Sequence, residues 1–329
     1  MLERSPWWRR WAARVASTAA LATLTIAPLR AEMAIAAAAN PGSLPLYVAE
    51  AKGFFAAEGV AVRWLPCAFG KVCLRRVLDG QADLGTVADL PIALAAHAGA
   101  RFSVVATINT SRDDTKIVTR RNSGITQASD LVGRSVGLHL GTTAQYALDS
   151  LMLLQGADPA LVRLVNLQAG EGRTRLLART VDAAALFEPY AFEAAQALGA
   201  DALVIATGSI YKQTWNLAAR VGPGAPTPAD LEAMLRALDR ACAWIQSHPA
   251  QAQALLRERT RMDAGLVASI WPGLDYALKL DQSLLTTLEG QARWALRIGM
   301  VQGSVPNYLP YLQAGPLRRV RPERVTIAE

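Results

Sequence analysis

The chain has 329 residues, of which 52% are hydrophobic and 19% charged. That composition is globular, gives room for one large domain or two ordinary lobes, and excludes a disordered or low-complexity protein. Residues 1–31 hold five arginines against one glutamate, which leaves +3 of the formal +7 for the remainder. A residue of charge that small, with no concentrated basic stripe, excludes nucleic acid as the expected partner and mildly favours anionic small ligands.

The N-terminus has the order of a secretory signal peptide. Arg4, Arg9, Arg10 and Arg14 form a positive region, Val15–Leu29 carries no charge, and Pro28 precedes Ala31. The apolar run is about fifteen residues, short of the roughly twenty that span a bilayer. Cleavage is expected near Ala31, with an uncleaved anchor helix as the alternative. Arg9-Arg10 raises twin-arginine export, but Trp8 and Trp11 flank the pair and the general secretory route fits better. No cysteine follows the apolar run, so a lipid anchor is not expected. The mature protein is expected to be periplasmic and monomeric.

From residue 34 short apolar runs alternate with amphipathic ones. Ala34–Ala38 reads as a strand, Leu44–Glu58 as a helix interrupted at Gly53, Val60–Leu65 as a strand, and Lys71–Leu78 as a helix closed by Gly80. Asp83–Thr86 (strand), Leu90–His97 (helix), Phe102–Ile108 and Lys116–Thr119 (strands) follow. The pattern restarts with strand Ser135–Leu138, helix Ala144–Gln155, strand Leu161–Leu167, helix Arg173–Ala178, strand Ala183–Phe187 and helix Ala191–Leu198. Ala202–Ala206 and Trp215–Ala219 read as strands. Helices then dominate: Pro228–Ser247, Pro249–Arg259, Asp263–Trp271 and Ser283–Ile298, with Pro249 and Pro272 as punctuation. Arg318, Arg319, Arg321 and Arg324 read as a solvated tail.

This order predicts an α/β protein with mainly parallel sheets flanked by helices. Two lobes are expected after the leader at 1–31: residues 32–119 in the first, 120–218 in the second, and 219–329 returning to the first. The crossings are expected near Thr119–Asn122 and Ala218–Gly224.

One feature recurs: a predicted strand ends in a small or polar residue that opens a helix. Asn40-Pro41-Gly42-Ser43, Gly70-Lys71, Asp89, Gly141-Thr142-Thr143 and Glu188-Pro189-Tyr190 all do so. In an open α/β sheet the strand carboxyl ends share one crevice, and each helix start offers free N–H groups and about half a positive charge. Several aimed at one point would hold an anion without a metal. Asn40, Ser43, Gly70, Lys71, Asp89, Thr142, Thr143 and Glu188 are therefore the candidate ligand contacts, with Tyr146, Tyr190 and Trp215 as candidate walls. Glu188 would suit a ligand amine or hydroxyl. The plainer reading is that such residues only cap their own helices. Cys67 and Cys73 could form a disulfide in an oxidising compartment, or stay separate thiols; spacing alone leaves both open. No histidine neighbours them, no metal-ligand spacing or cofactor motif occurs, and His139 can be a hydrogen-bonded structural residue.

Four stretches resemble one family. They are SLPLYVAEAKGFFAAEGVAVRW (43–64), LRRVLDGQADLGTVADLP (74–91), SGITQASDLVGRSVGLHLGTTAQYALDSLMLLQGADPALVRLVNL (123–167) and VDAAALFEPY (181–190). The resemblance is to solute-binding proteins of the NitT/TauT type, the sulfonate, taurine and nitrate class. It implies a two-lobed periplasmic-binding-protein fold of the type with two crossover strands. It also implies capture of a small, anionic organic ligand by hinge closure, with a membrane permease and its ATPase as partners. Ser43, Asp89, Thr142, Thr143 and Glu188 fall in that family's ligand loops. The cysteines around Gly70 and the Gly/Pro-rich segment 222–228 depart from it. Enzymes of the same fold are the rival. Desulfinase-like relatives need a cysteine in the first binding loop, which Asn40–Leu44 lacks, and thiamin-pyrimidine synthases need a cysteine cluster this chain lacks. A ligand-sensing subunit of a membrane receptor is the third reading.

Overall fold

A computed structural model describes residues 32–112, 114–168, 170–207 and 210–327. The expected signal peptide lies outside the described residues. Eleven strands form two sheets among these residues.

The first sheet has the order β11-β4-β10-β3-β1-β2. Its strands are β1 (Met33–Ala38), β2 (Val62–Cys67), β3 (Leu84–Ala88), β4 (Ser103–Ser111), β10 (Gln213–Ala219) and β11 (Leu274–Asp275). β1, β3, β4 and β10 are buried along their whole length; β1 and β3 accordingly read as unbroken apolar or small-residue runs, while β4 and β10 also bury Asn109, Gln213 and Asn216. Helices α1 (Leu44–Ala51), α2 (Phe54–Ala57), α3 (Gly70–Leu78) and α4 (Asp89–His97) connect and cover them. Gly53, at φ 68°, separates α1 from α2, as its interruption of the pattern anticipates.

The second sheet has the order β7-β6-β8-β5-β9. It comprises β5 (Thr115–Arg120), β6 (Ser135–Leu138), β7 (Arg163–Asn166), β8 (Ala183–Phe187) and β9 (Ala202–Ala206), with α5 (Thr143–Leu154), α6 (Glu171–Leu177) and α7 (Tyr190–Leu198). Each sheet has its own apolar core, so these are two lobes.

Both sheets are mixed. β1, β2 and β3 run parallel, as do β6, β7 and β8, but β10 is antiparallel to β3 and β4, and β5 is antiparallel to β8 and β9. β5 and β10 are the strands that receive the chain from the other lobe, and the two-residue β11 also runs against β4. The passages themselves fall earlier than Thr119–Asn122 and Ala218–Gly224. β5 already pairs in the second sheet from Thr115, and β10 pairs in the first from Gln213. The first sheet is therefore left after Ser111 and the second entered by Thr115, and the second is left after Ala206 and the first re-entered by Gln213. Hydrophobic runs mark strands without marking which sheet they join, hence the shift.

After β10 come α8 (Pro228–Ser247), α9 (Pro249–Thr260), α10 (Ala264–Ile270), α11 (Gln282–Arg297) and α12 (Ala314–Val320). α8 begins with a capping box: Thr227 Oγ1 accepts from Asp230 N at 3.2 Å and Asp230 Oδ2 accepts from Thr227 N at 3.0 Å, with Pro228 at the first helical position. Its buried Leu231, Met234, Leu235, Leu238, Cys242 and Ile245 recur at helical spacing and join the first-lobe core. The C-terminal basic run is not a tail. α12 buries Leu317, Arg319 Nε lies 2.5 Å from Glu232, and Arg321 Nη2 lies 2.7 Å from Asp239 on α8.

Candidate functional site

The carboxyl ends of β1, β2 and β3 in one lobe and of β6, β7 and β8 in the other each lead into a helix start, so the candidate residues gather where the lobes meet. The structure divides the five helix-opening turns into two kinds.

Three are occupied by their own chain. Ser43 is completely buried, with its hydroxyl 3.0 Å from Thr86 Oγ1. Asp89 is completely buried too. It accepts from Thr214 N (2.8 Å), Thr214 Oγ1 (3.2 Å), Gln291 Nε2 (2.9 Å), Leu90 N (2.8 Å) and the Tyr211 hydroxyl. It thereby ties α4 to the second passage, to β10 and to α11. Burial pushes its carboxyl upward, opposed by these donors. Glu188, followed by a cis peptide to Pro189, pairs with Lys116 at 2.8 Å and accepts from Phe192 N at 2.9 Å. Its charge is met by a lysine and a helix start, leaving no surplus aimed at a ligand.

Two are open. At α3 the carbonyl of Phe69 takes Val72 N (2.9 Å) and Cys73 N (3.2 Å). Gly70 and Lys71 then stand at the first positions, where N–H groups have no helical acceptor. Lys71 is exposed, and Asn40 at the end of β1 is half-buried with no partner for Oδ1. At α5 the carbonyl of Thr142 takes Gln145 N and Tyr146 N, which leaves Thr143 and Ala144 at the corresponding positions. Thr142 donates its hydroxyl to the His139 carbonyl at 2.7 Å, so that hydroxyl is engaged within its own turn. His139 Nδ1 lies 3.0 Å from the Leu167 carbonyl oxygen, the structural role open to it.

Trp215 forms the floor between the first-lobe turns. A Cβ built on Gly42 would collide with its indole, and one on Gly70 would lie 3.3 Å from its Cζ3. Glycine at both positions lets the two turns close onto the ring. Beside it Gln213 turns its amide nitrogen to within 3.2 Å of Thr143 Oγ1 and 3.3 Å of Asp114 Oδ2, and its oxygen accepts from Trp215 Nε1 at 3.2 Å. Gln213 therefore joins first-lobe floor, second-lobe helix start and first passage. Asp114 is half-buried, and burial, then the negative charges of Glu188 and Asp89, push its carboxyl up to about 7. Neither residue stood out in the sequence, although Gln213 shares a strand face with Trp215 through the two-residue period. Tyr190 is half-exposed, its ring edge-on to Phe187 at 5.4 Å.

Tyr146 is not a wall of this cleft. Its ring packs edge-on to Tyr211 at 5.1 Å and to Trp294 at 5.5 Å. There it lines a separate cavity of about 410 Å³ with Thr110, Lys212, Thr214, Lys279 and Thr287. The cysteines are bonded: Cys67 and Cys73 form a disulfide with Cα atoms 5.5 Å apart, while Cys242 is a buried thiol. Among the described residues no group of three or more His, Cys, Asp or Glu side chains could hold a metal ion.

A family model described as NMT1/THI5 like matches residues 40–252. A Bacillus subtilis protein named for binding aliphatic sulfonates is 23% identical over 231 residues, 69% of each chain. A 4-amino-5-hydroxymethyl-2-methylpyrimidine phosphate synthase from Legionella pneumophila is 27% identical over 128 residues, 39% of this chain and 40% of that one. The crystal structure of the periplasmic aliphatic sulphonate binding protein SsuA from Escherichia coli superposes with a TM-score of 0.73 at 21% identity, covering 83% of this chain and 89% of that one. The fold is that of the periplasmic binding proteins, with two lobes and two crossing strands. At this identity the likeness speaks for the fold, and the ligand has to be argued from the cleft.

Proposed function

The chain belongs to the NMT1/THI5-like family, and on that premise we propose that it is a periplasmic solute-binding protein of an ABC importer, holding a small organic acid between its lobes. The observation that carries this is the pair of open helix starts, Gly70-Lys71 in one lobe and Thr143-Ala144 in the other. An anion bound there would be met by N–H donors from both sides and would favour the closed lobes over the open ones. Trp215 beneath, Gln213 beside and the Lys71 ammonium at the edge suit a sulfonate or carboxylate. The relative named for sulfonate binding agrees with this class. A membrane permease with its ATPase would read the closed form.

The synthase match raises an enzyme of the same fold. The cleft argues against it. The loop 40–44 offers no cysteine, His139 is engaged by the Leu167 carbonyl, and Glu188 is neutralised by Lys116. These engagements leave neither His139 nor Glu188 free to serve as a base toward a bound acid.

The test is a thermal-shift screen of the mature protein against sulfonates, carboxylates, nitrate and pyrimidines, with each ligand recovered afterwards. A binding protein gains about 2.7 kcal/mol of stability at one hundred times Kd and returns the ligand unchanged. A chemically altered ligand would sink the reading.

A further inference from the structure

Phe69 is 52% exposed, an unusual state for a phenyl ring on otherwise fixed backbone. It is the N-cap of α3, extended at φ −161° and ψ 165°, and its carbonyl holds two amides of the first turn. The Cys67–Cys73 disulfide brackets it. Immediately after it Gly70 is pressed against the Val87–Ala88 backbone, where a Cβ would lie 3.1–3.2 Å away. The backbone that carries the ring is thus fixed on both sides, and the ring stands exposed directly before the open start of α3. The second lobe repeats the arrangement. Leu140, 43% exposed, precedes Gly141 and the open start of α5. Each open helix start therefore has an uncovered apolar side chain shortly before it, and the Gly70 that follows Phe69 packs against Trp215.

We propose that Phe69 is a specificity-determining residue: it covers the apolar body of the bound acid, with Leu140 closing from the opposite lobe, so that the cleft selects acids carrying a ring-sized apolar group. The inference rests on the reading of the cleft as an acid-binding site and adds the half of the ligand that the N–H donors do not touch. Removing a ring-sized apolar area from water at roughly 25 cal/mol per Å² is large enough to govern choice among acids that share one headgroup.

The experiment is calorimetric titration of the full mature protein with benzenesulfonate, methanesulfonate, benzoate and acetate, repeated with Phe69→Ala and Phe69→Tyr. The wild type should prefer each aryl acid at least tenfold over its methyl counterpart. Phe69→Ala should lose about tenfold for the aryl acids and less than about twofold for the methyl ones, with Phe69→Tyr retaining the preference. Equal binding of aryl and methyl acids by the wild type, or an equal loss of both in Phe69→Ala, overturns the inference while leaving the acid cleft intact. Binding of none of the four acids overturns the acid cleft and the inference with it.

Discussion

On one face of β10, Gln213 and Trp215 look toward the open starts of α3 and α5. On the other, Thr214 and Asn216 are sealed. Thr214 donates to Asp89, and Asn216 takes a hydrogen bond from Thr107 at 2.7 Å and gives one to Thr214 Oγ1 at 2.9 Å. The same strand, by its two-residue alternation, floors the proposed ligand cleft on one face and is tied to α4 on the other. The difference shows where polar groups are available. On the sealed face the Asp89 carboxylate already has its full set of donors, whereas on the cleft face backbone N–H groups and an amide remain to be answered by something from outside.

Breaking the sealed face should cost most. Asp89→Ala strands Thr214 N, the Tyr211 hydroxyl and Gln291 Nε2 in the interior and should destabilise by about 3 kcal/mol, read as a loss in denaturant midpoint at unchanged slope. An effect on ligand affinity with normal stability would instead put Asp89 on the cleft side. On the cleft face Gly42→Ala drives a methyl group into Trp215. Overpacking of this kind costs about 2 kcal/mol, and displacing the floor should weaken any ligand alongside.

The hinge carboxyl Asp114 sharpens the comparison through pH. Its folded value of about 7 lies above its ordinary 3.8, so the folded state binds the proton more tightly than the unfolded one. That contribution is complete below pH 3.8 and is lost as pH rises through about 7. Melting curves from pH 4 to 8 should show a decline in stability that Asp114→Asn abolishes; an identical slope in the variant would contradict the assignment. The smallest effect is expected for Thr143→Ala. It removes a hydroxyl shared with Gln213 and leaves the helix N–H groups in place, about 0.5 kcal/mol or two- to threefold in Kd.

Much of this frame was legible in the residues. Glycines and prolines bound the elements so firmly that Ala183–Phe187, Ala202–Ala206 and Pro228–Ser247 are read with both ends in place. The crossings were not, because β5 and β10 look like any other apolar strand and their reversal is a matter of pairing. β11 has two residues and α12 seven, too short to show a period. At the site, the sequence located all five helix-opening turns without distinguishing a cap from a contact. Ser43, Asp89 and Glu188 found internal partners up to 202 residues away in sequence, and nothing local announces such partners. Tyr146 lies one helical turn beyond Thr143, and only its partners Tyr211 and Trp294 show that its ring packs toward α11. Asp114 and Phe69 acquire meaning only from neighbours across the hinge and the disulfide.

The central claim is that the acid sits between the starts of α3 and α5. A crystal structure of the mature protein with a stabilising sulfonate or carboxylate tests it most directly. The acid oxygens are predicted to accept hydrogen bonds from Gly70 or Lys71 N and from Thr143 or Ala144 N, with Trp215 beneath. Density for the acid in the cavity beside Lys212 and Lys279, with those amides still open, would contradict the account.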